Sequence, residues 1–189
     1  MRKVILLLPL LISVLFLSAC DHLARYTITE QEVNQALKKH NNYEKDIGVN
    51  GLATAHITLT DLQSAIGREE PGKMTLSGKA SLQLQSLFGQ QNADIFLKMK
   101  AQPVYNPEQG AIYLQDLQVT DNQVQPEKVQ QVVNALMPVL NQSLKDYFST
   151  HPAYVLNADH STGEAMAKKL AQGLEVRPGE LVIPLSRQG

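Results

Sequence analysis

The sequence is poor in the residues that most chemical sites need. It has 189 residues, one cysteine and no tryptophan, and its 17 basic and 18 acidic side chains leave a formal charge of −1. One cysteine excludes an intramolecular disulfide and a multi-cysteine metal cluster. The absence of a basic patch argues against nucleic acid as a partner. There is also no glycine-rich phosphate loop of the Walker or Rossmann type, so nucleotide chemistry is not favoured either.

The residues that remain as candidates for catalysis have simpler explanations. Asp159, His160 and Ser161 are the residue types of a hydrolase triad, but adjacent residues cannot generally place their side chains in a Ser-His-Asp relay. Ser161 is better explained as a helix cap. The histidines lack metal-ligand spacing, and the Glu69-Glu70 pair fits an exposed turn. We therefore expect no enzyme, no metal and no cofactor.

The N-terminus has the layout of a secretory signal. A charged start precedes an apolar run over residues 4–17, which is shorter than the roughly 20 residues of a membrane-spanning helix. The run ends in Leu17-Ser18-Ala19-Cys20, which resembles the lipobox of bacterial lipoproteins. In that family residues 1–19 would be removed, and Cys20 would carry acyl chains on its thiol and on the new amino group.

Lipidation of Cys20 predicts where the protein resides. Several acyl chains exceed the two signals that stable anchoring needs, so the protein would stay on a membrane and face the periplasm. Asp21 follows the cysteine, and by resemblance to lipoprotein sorting signals it favours the inner membrane, with the outer membrane as the alternative. Residues 20–28 would form a lipidated tether and residues 29–189 a single α+β domain.

The middle of the chain predicts a long antiparallel sheet. In the third of its strands apolar residues alternate strictly with polar ones, which is typical of a sheet with one buried and one wet face. Breaks in the alternation predict bulges near Asp61 and near Gln115-Asp116, and long bulged strands curve. The five strands are expected over residues 43–49, 52–66, 73–85, 93–105 and 111–124.

A long amphipathic helix is expected over residues 126–149, because its apolar side chains fall in an arc of about 180°. The helix would span about 36 Å at 1.5 Å per residue and the strands about 40 Å at 3.3 Å per residue. These lengths match. The sequence therefore predicts a long curved sheet wrapped around one helix.

Smaller elements flank this pair. The spacing of Thr29 and Glu32 predicts a capping box that opens a small N-terminal helix, and Ser161 and Glu164 predict a second box opening a C-terminal helix that ends near residue 172. A short strand is expected over residues 153–157. The chain would end in a hairpin over 174–177 and 180–185, which either extends the sheet or closes one end of the trough.

The apolar faces of sheet and helix have two interpretations. They form a solid core, or they part to leave a tube for acyl chains. Most of the side chains concerned are flexible or unbranched at Cβ, and such side chains fill irregular space adaptably. The predicted lining residues are Met74, Leu76, Leu82, Leu84, Ile95, Leu97, Met99, Leu136, Met137, Leu140 and Leu144.

The mature chain as a whole resembles the YceB-like lipoproteins of enteric bacteria. The resemblance lies in YTITEQE at 26–32, IGREEP at 66–71, VQPEK at 124–128, PAYVL at 152–156 and GEAMAKK at 163–169. It implies a fold similar to the tubular lipid-binding (TULIP-like) superfamily, in which a long helix lies in a curved sheet and lipid is held between them. It supplies no catalytic residues. The alternative is a solid-cored module that docks an envelope protein partner.

Overall fold

A six-stranded antiparallel sheet forms the body of the protein in the computed structural model, which describes residues 25–87 and 89–186. The strands are β1 (Arg25–Thr29), β2 (Tyr43–Val49), β3 (Ala53–Ile66), β4 (Met74–Ser86), β5 (Gly89–Asn106), β6 (Ala111–Gln125), β7 (Tyr154–Val155), β8 (Glu175–Arg177) and β9 (Glu180–Pro184). The helices are α1 (Glu30–Leu37), α2 (Gln130–Thr150) and α3 (Thr162–Leu170). The large sheet has the order β2-β3-β4-β5-β6-β7, and a second sheet has the order β1-β9-β8. The predicted α+β class is confirmed.

All five predicted strands are present, with small shifts at their ends. The largest difference is in β5, which begins four residues earlier than the alternation indicated. It does so because Ser86 pairs directly with Gly89, so the β4–β5 hairpin stays paired up to its turn. Residues 90–92 are polar, which hides this part of the strand from a hydrophobic pattern.

Both predicted bulges are present, each at an aspartate. The pairing of β3 with β4 shifts register between Thr60 and Gln63, and Asp61 has a φ of 55°. In β6, Asp116 has a φ of 50°, and the pairing with β5 shifts register across it. Aspartate tolerates positive φ better than most residues, so these two positions allow the long strands to bend.

Helix α2 lies along the inner side of the large sheet. Its main contacts are with β6 and β2, which lie towards opposite sides of that sheet. The buried face of the helix consists of Val133, Leu136, Leu140, Leu144 and Phe148. Pro138, inside the helix, lies on its exposed side. The first turn of the helix expected over residues 126–149 is a 3-10 helix, Glu127–Val129, which leads into α2.

The predicted tether over residues 20–28 is wrong at its end. Residues 25–28 belong to β1, which pairs antiparallel with β9, so the folded part begins by Arg25. The C-terminal hairpin pairs with β1 in a separate sheet. It therefore does not extend the large sheet, which was one of the two alternatives from the sequence. It docks at the end of β3, where the N–H of Gly179 donates to the carbonyl of Ile66 over 2.8 Å. Residues 1–19, Cys20 and Asp21 lie outside the described residues.

The two helix caps differ in how completely they follow their patterns. Thr29 and Glu32 form the full capping box at the start of α1. Ser161 accepts the N–H of Glu164 over 3.1 Å at the start of α3, as a cap should. The carboxylate of Glu164, however, binds the N–H of Asn157 and the hydroxyl of Tyr154. The second box is therefore only half formed.

Candidate functional site

The predicted lining residues meet at the interface between sheet and helix. Ten of the eleven have at most 3% of their surface exposed, and Met137 is half-buried at the edge of the interface. The strand members come from β4 and β5, where alternate side chains point to the same face of the sheet. All eleven belong to, or pack against, one hydrophobic cluster.

This interface is filled by the side chains themselves. Leu76 and Met99 sit opposite each other on neighbouring strands, and both are fully buried. The pair is typical of the interface, where leucine and methionine dominate and the helix supplies further leucines. Because these residues pack closely, a ligand would have to push helix and sheet apart. The flexible side chains make such movement cheaper than in a core of β-branched residues.

A cluster of aromatic side chains and histidines holds the C-terminal end of α2. Nδ1 of His40 lies 2.8 Å from the hydroxyl oxygen of Tyr147, and its Nε2 lies 3.0 Å from the carbonyl oxygen of Pro152. Tyr147 also packs on Tyr43 with 4.0 Å between ring centroids and stacks on His151 at 4.2 Å. Burial lowers the pKa of His40 below its ordinary value. The ring is thus held neutral at the helix end.

A buried carboxylate lies between β1, β7 and α3. Glu164 is 4% exposed, and its oxygens accept hydrogen bonds from the Tyr154 hydroxyl at 3.3 Å and the Asn157 N–H at 2.5 Å. Burial, with the negative charge of Glu164 second, raises the pKa of Tyr26 to about 12. The same two causes raise the pKa of Tyr154. Both tyrosines therefore stay protonated and able to donate.

A cavity of about 350 Å³ opens beside this carboxylate. Its walls come from α1, from β7 and from the start of α3, and they carry both charged and apolar groups. Three polar side chains in the cavity wall already make hydrogen bonds within the protein: Glu32 in its capping box, His40 with Tyr147, and Glu164 with Tyr154. The arrangement holds three elements together, and nothing in it supplies a nucleophile with a base beside it.

The described residues, 25–87 and 89–186, contain no group of histidine, cysteine, aspartate or glutamate side chains suited to hold a metal ion. Over the same part of the chain, none of the helices has the length and apolar character needed to cross a bilayer. Asp159, His160 and Ser161 do not form a relay: the Ser161 oxygen serves the Glu164 N–H, while His160 lies 3.7 Å from the Glu164 carboxylate.

The sequence did not indicate the interactions that two residues make. His40 has no metal-ligand spacing, and its partner Tyr147 lies 107 residues away in the chain. Glu164 was expected at a helix start, but nothing in its neighbourhood in the sequence indicates a buried carboxylate. A tyrosine ten residues before it is a weak signal, because many such pairs occur by chance.

The chain matches one protein-family model and several known proteins. A family model described as a protein of unknown function (DUF1439) matches residues 28–180. The chain is 57% identical over 186 residues to "Uncharacterized lipoprotein YceB" of Escherichia coli strain K12, and the alignment covers 98% of this chain and 100% of the relative. The proteins of the same description from Shigella flexneri and Salmonella typhimurium match with the same identity and coverage. These matches confirm the predicted resemblance.

Among solved structures, the crystal structure of lipopolysaccharide binding protein aligns with a TM-score of 0.35 and 9% sequence identity. The alignment covers 86% of this chain and 50% of that one, so this chain spans about half the length of that protein.

Proposed function

This chain belongs to the DUF1439 family, and from that premise we propose that it is an envelope lipoprotein that holds a lipid or other hydrophobic ligand between its curved sheet and helix α2. Acyl chains on Cys20 anchor it to a membrane, and the folded part faces the periplasm. Asp21 favours the inner membrane, with the outer membrane as the alternative.

One observation carries the ligand proposal: the long helix rests mainly against strands on the two sides of a bent sheet, while β4 and β5 between them bury apolar side chains on their inner faces. The leucine and methionine side chains of that face, among them Leu82, Leu97 and Met99, are able to rearrange around an acyl chain. Affinity would come from the roughly 25 cal/mol per Å² of apolar surface removed from water.

Native mass spectrometry of the chain beginning at residue 21 tests the ligand. This chain lacks the anchor, but every member of the hydrophobic cluster lies between Tyr26 and Leu185, so its core is complete. We expect a co-purified mass of a lipid, or uptake of added phospholipid. Protein that stays free of ligand after phospholipid is added would refute the proposal.

A matched pair of variants locates the ligand. Ala80 is buried on the inner face of β4, and Lys79 beside it points outward to Asp94. Ala80→Leu should place a larger side chain where the acyl chain would lie and lower phospholipid uptake, provided that circular dichroism shows a folded chain. Lys79→Leu should leave uptake unchanged. Equal effects of the two substitutions would place the ligand elsewhere.

Lipidation has its own test. Cys20→Ser should abolish labelling by an acyl-chain precursor and release the protein from the membrane fraction. Unchanged labelling would contradict the lipobox assignment. This result does not depend on any ligand, because it concerns only the N-terminus.

A second function is favoured by the close packing of the predicted lining residues. In this alternative the core is solid, and the domain is an interaction module that docks an envelope protein. Crosslinking in cells that traps one protein partner, together with a ligand-free native mass spectrum, would select it over lipid binding.

A further inference from the structure

One end of the large sheet exposes apolar side chains at two adjacent turns. Leu87, in the β4–β5 turn, is 81% exposed, and Leu52, in the β2–β3 turn, is 39% exposed. Ala53 pairs with Ser86, so the two turns lie side by side. We call this end, residues 49–53 and 85–87, the hairpin tip.

The hairpin tip protrudes beyond its neighbours. The pairing of β5 with β6 begins only at Asp94, so the first five residues of β5 pair with β4 alone. At 3.3 Å per residue, the β4–β5 hairpin therefore extends about 16 Å past the end of β6. The segment that leads into α2 starts directly after β6 and so begins behind the tip.

The hairpin tip carries no ionic charge. Residues 47–55 and 80–93 contain no aspartate, glutamate, lysine or arginine. The polar side chains near the leucines are the neutral amides and hydroxyls of Asn50, Gln85, Ser86 and Gln90. The nearest charged residues along β2 and β5 are Asp46 and Asp94. A bilayer would thus receive the tip without desolvating a charge, which is the large penalty for entering hydrocarbon.

The opposite end of the same sheet carries charged side chains. The β3–β4 turn carries Arg68, Glu69 and Glu70, and each of these side chains makes an ion pair. The atom pairs are Arg68 Nε with Glu30 at 3.0 Å, Glu69 with Lys98 Nζ at 2.9 Å, and Glu70 with Lys100 Nζ at 3.0 Å. Charge is concentrated at one end, and exposed leucine at the other.

We propose that the hairpin tip inserts into a lipid bilayer, with Leu87 entering the acyl region and the neutral amides remaining at the level of the head groups. A protruding, uncharged turn suits a bilayer, because it offers no charges with which a protein would pair. β1 joins the Ile66 end of the sheet through the C-terminal hairpin, about 40 Å from the tip at 3.3 Å per residue. The contact lies away from β1 and requires no ligand under α2.

Tryptophan fluorescence tests this directly, because the natural chain has no tryptophan. The chain beginning at residue 21 is prepared as Leu87→Trp and, as the control, as Val155→Trp. Val155 is 52% exposed and lies in β7, which pairs with the far end of β6 from the tip. Each variant is mixed with vesicles of phosphatidylethanolamine and phosphatidylglycerol whose acyl chains carry bromine. Circular dichroism shows that both are folded.

We expect Leu87→Trp emission to shift to shorter wavelength and to be quenched by the brominated chains, while Val155→Trp shows neither change. Absence of quenching at position 87, or equal quenching at both positions, would overturn the proposal. A crosslink from position 87 to a protein, without quenching by lipid, would assign the tip to a protein partner and would overturn it too.

Vesicle affinity supplies a second measurement. Leu87→Ser should weaken sedimentation with these vesicles by about tenfold or more, as expected for the loss of one inserted leucine. Phe96→Ser is the control, because Phe96 is an exposed apolar side chain on β5 away from the tip. An equal loss with both variants would contradict insertion at the tip. These measurements are independent of native mass spectrometry, so a ligand-free core leaves them standing.

Discussion

The ring of His40 is held by one hydrogen bond at each of its two nitrogens. Its Nδ1 lies 2.8 Å from the Tyr147 hydroxyl oxygen, and its Nε2 lies 3.0 Å from the Pro152 carbonyl oxygen. A carbonyl only accepts, so Nε2 carries the proton and Nδ1 accepts from the Tyr147 hydroxyl. This neutral tautomer joins the end of α2 to the segment after α1. It also makes the junction sensitive to acid.

Stability should fall as the pH is lowered through the pKa of His40 in the unfolded chain, 6.5. Burial lowers the pKa of the folded state, so the unfolded state takes up the proton first. The contribution of neutral His40 is complete above that pH and is lost as the pH falls towards the folded-state pKa. Urea denaturation at about pH 7.5 and about pH 5.5 measures the difference.

The variant His40→Asn separates the effect of His40 titration on stability from the effects of the other titratable groups. It should lower stability at about pH 7.5 by about 1 kcal/mol, because the ring's hydrogen bonds are lost, and it should reduce the further loss at low pH. His160→Asn is the control at an exposed histidine. If both variants keep the full pH dependence, His40 is not its source.

Packing under α2 is tested by two substitutions on neighbouring turns of the helix. Leu140 is 2% exposed and Met137 is half-buried. Leu140→Ala should cost about 3 kcal/mol, because it leaves a cavity in a closely packed interface, and Met137→Ala should cost clearly less. Chemical denaturation gives both values. Equal small losses would show that the interface is looser than the structure indicates.

The buried carboxylate should contribute strongly to stability. Glu164→Ala leaves the Tyr154 hydroxyl and the Asn157 N–H without their acceptor, and a loss of about 2 kcal/mol or more is expected. Tyr154→Phe removes only one of the two donors and should cost about 1 kcal/mol. Thermal denaturation compares them. A larger loss for Tyr154→Phe would mean that the Tyr154 hydroxyl, rather than the carboxylate, organises this region.

Gly67 should be far less tolerant of alanine than Gly72, although both have positive φ, 58° and 77°. A Cβ at Gly67 would lie 2.8 Å from the carbonyl oxygen of Arg177, whereas nothing lies within 4 Å of one at Gly72. Gly72→Ala should cost about 1 kcal/mol from backbone strain alone. Gly67→Ala should cost more and loosen the C-terminal hairpin, which limited proteolysis would detect. Similar losses would argue against tight docking of this hairpin.

Local patterns were enough to predict most of the elements. The alternation from Met74 to Gln85, the breaks at Asp61 and Asp116, and the apolar arc of α2 each lie within a short window. Side-chain period and turn chemistry act at that range. They also placed Leu136 and Leu140 on the buried face of the helix. The part of these residues in holding a ligand stays a prediction.

The sequence by itself determined the long strands, the bulges, the amphipathic helix and the resemblance to a lipoprotein family. Only the tertiary structure decided that β1 pairs with β9, that His40 meets Tyr147, that Glu164 is buried, and that Leu87 protrudes from a hairpin longer than its neighbour. The physical reason is distance along the chain. Partners far apart in sequence meet only where strand register and sheet curvature bring them together, and neither leaves a local pattern.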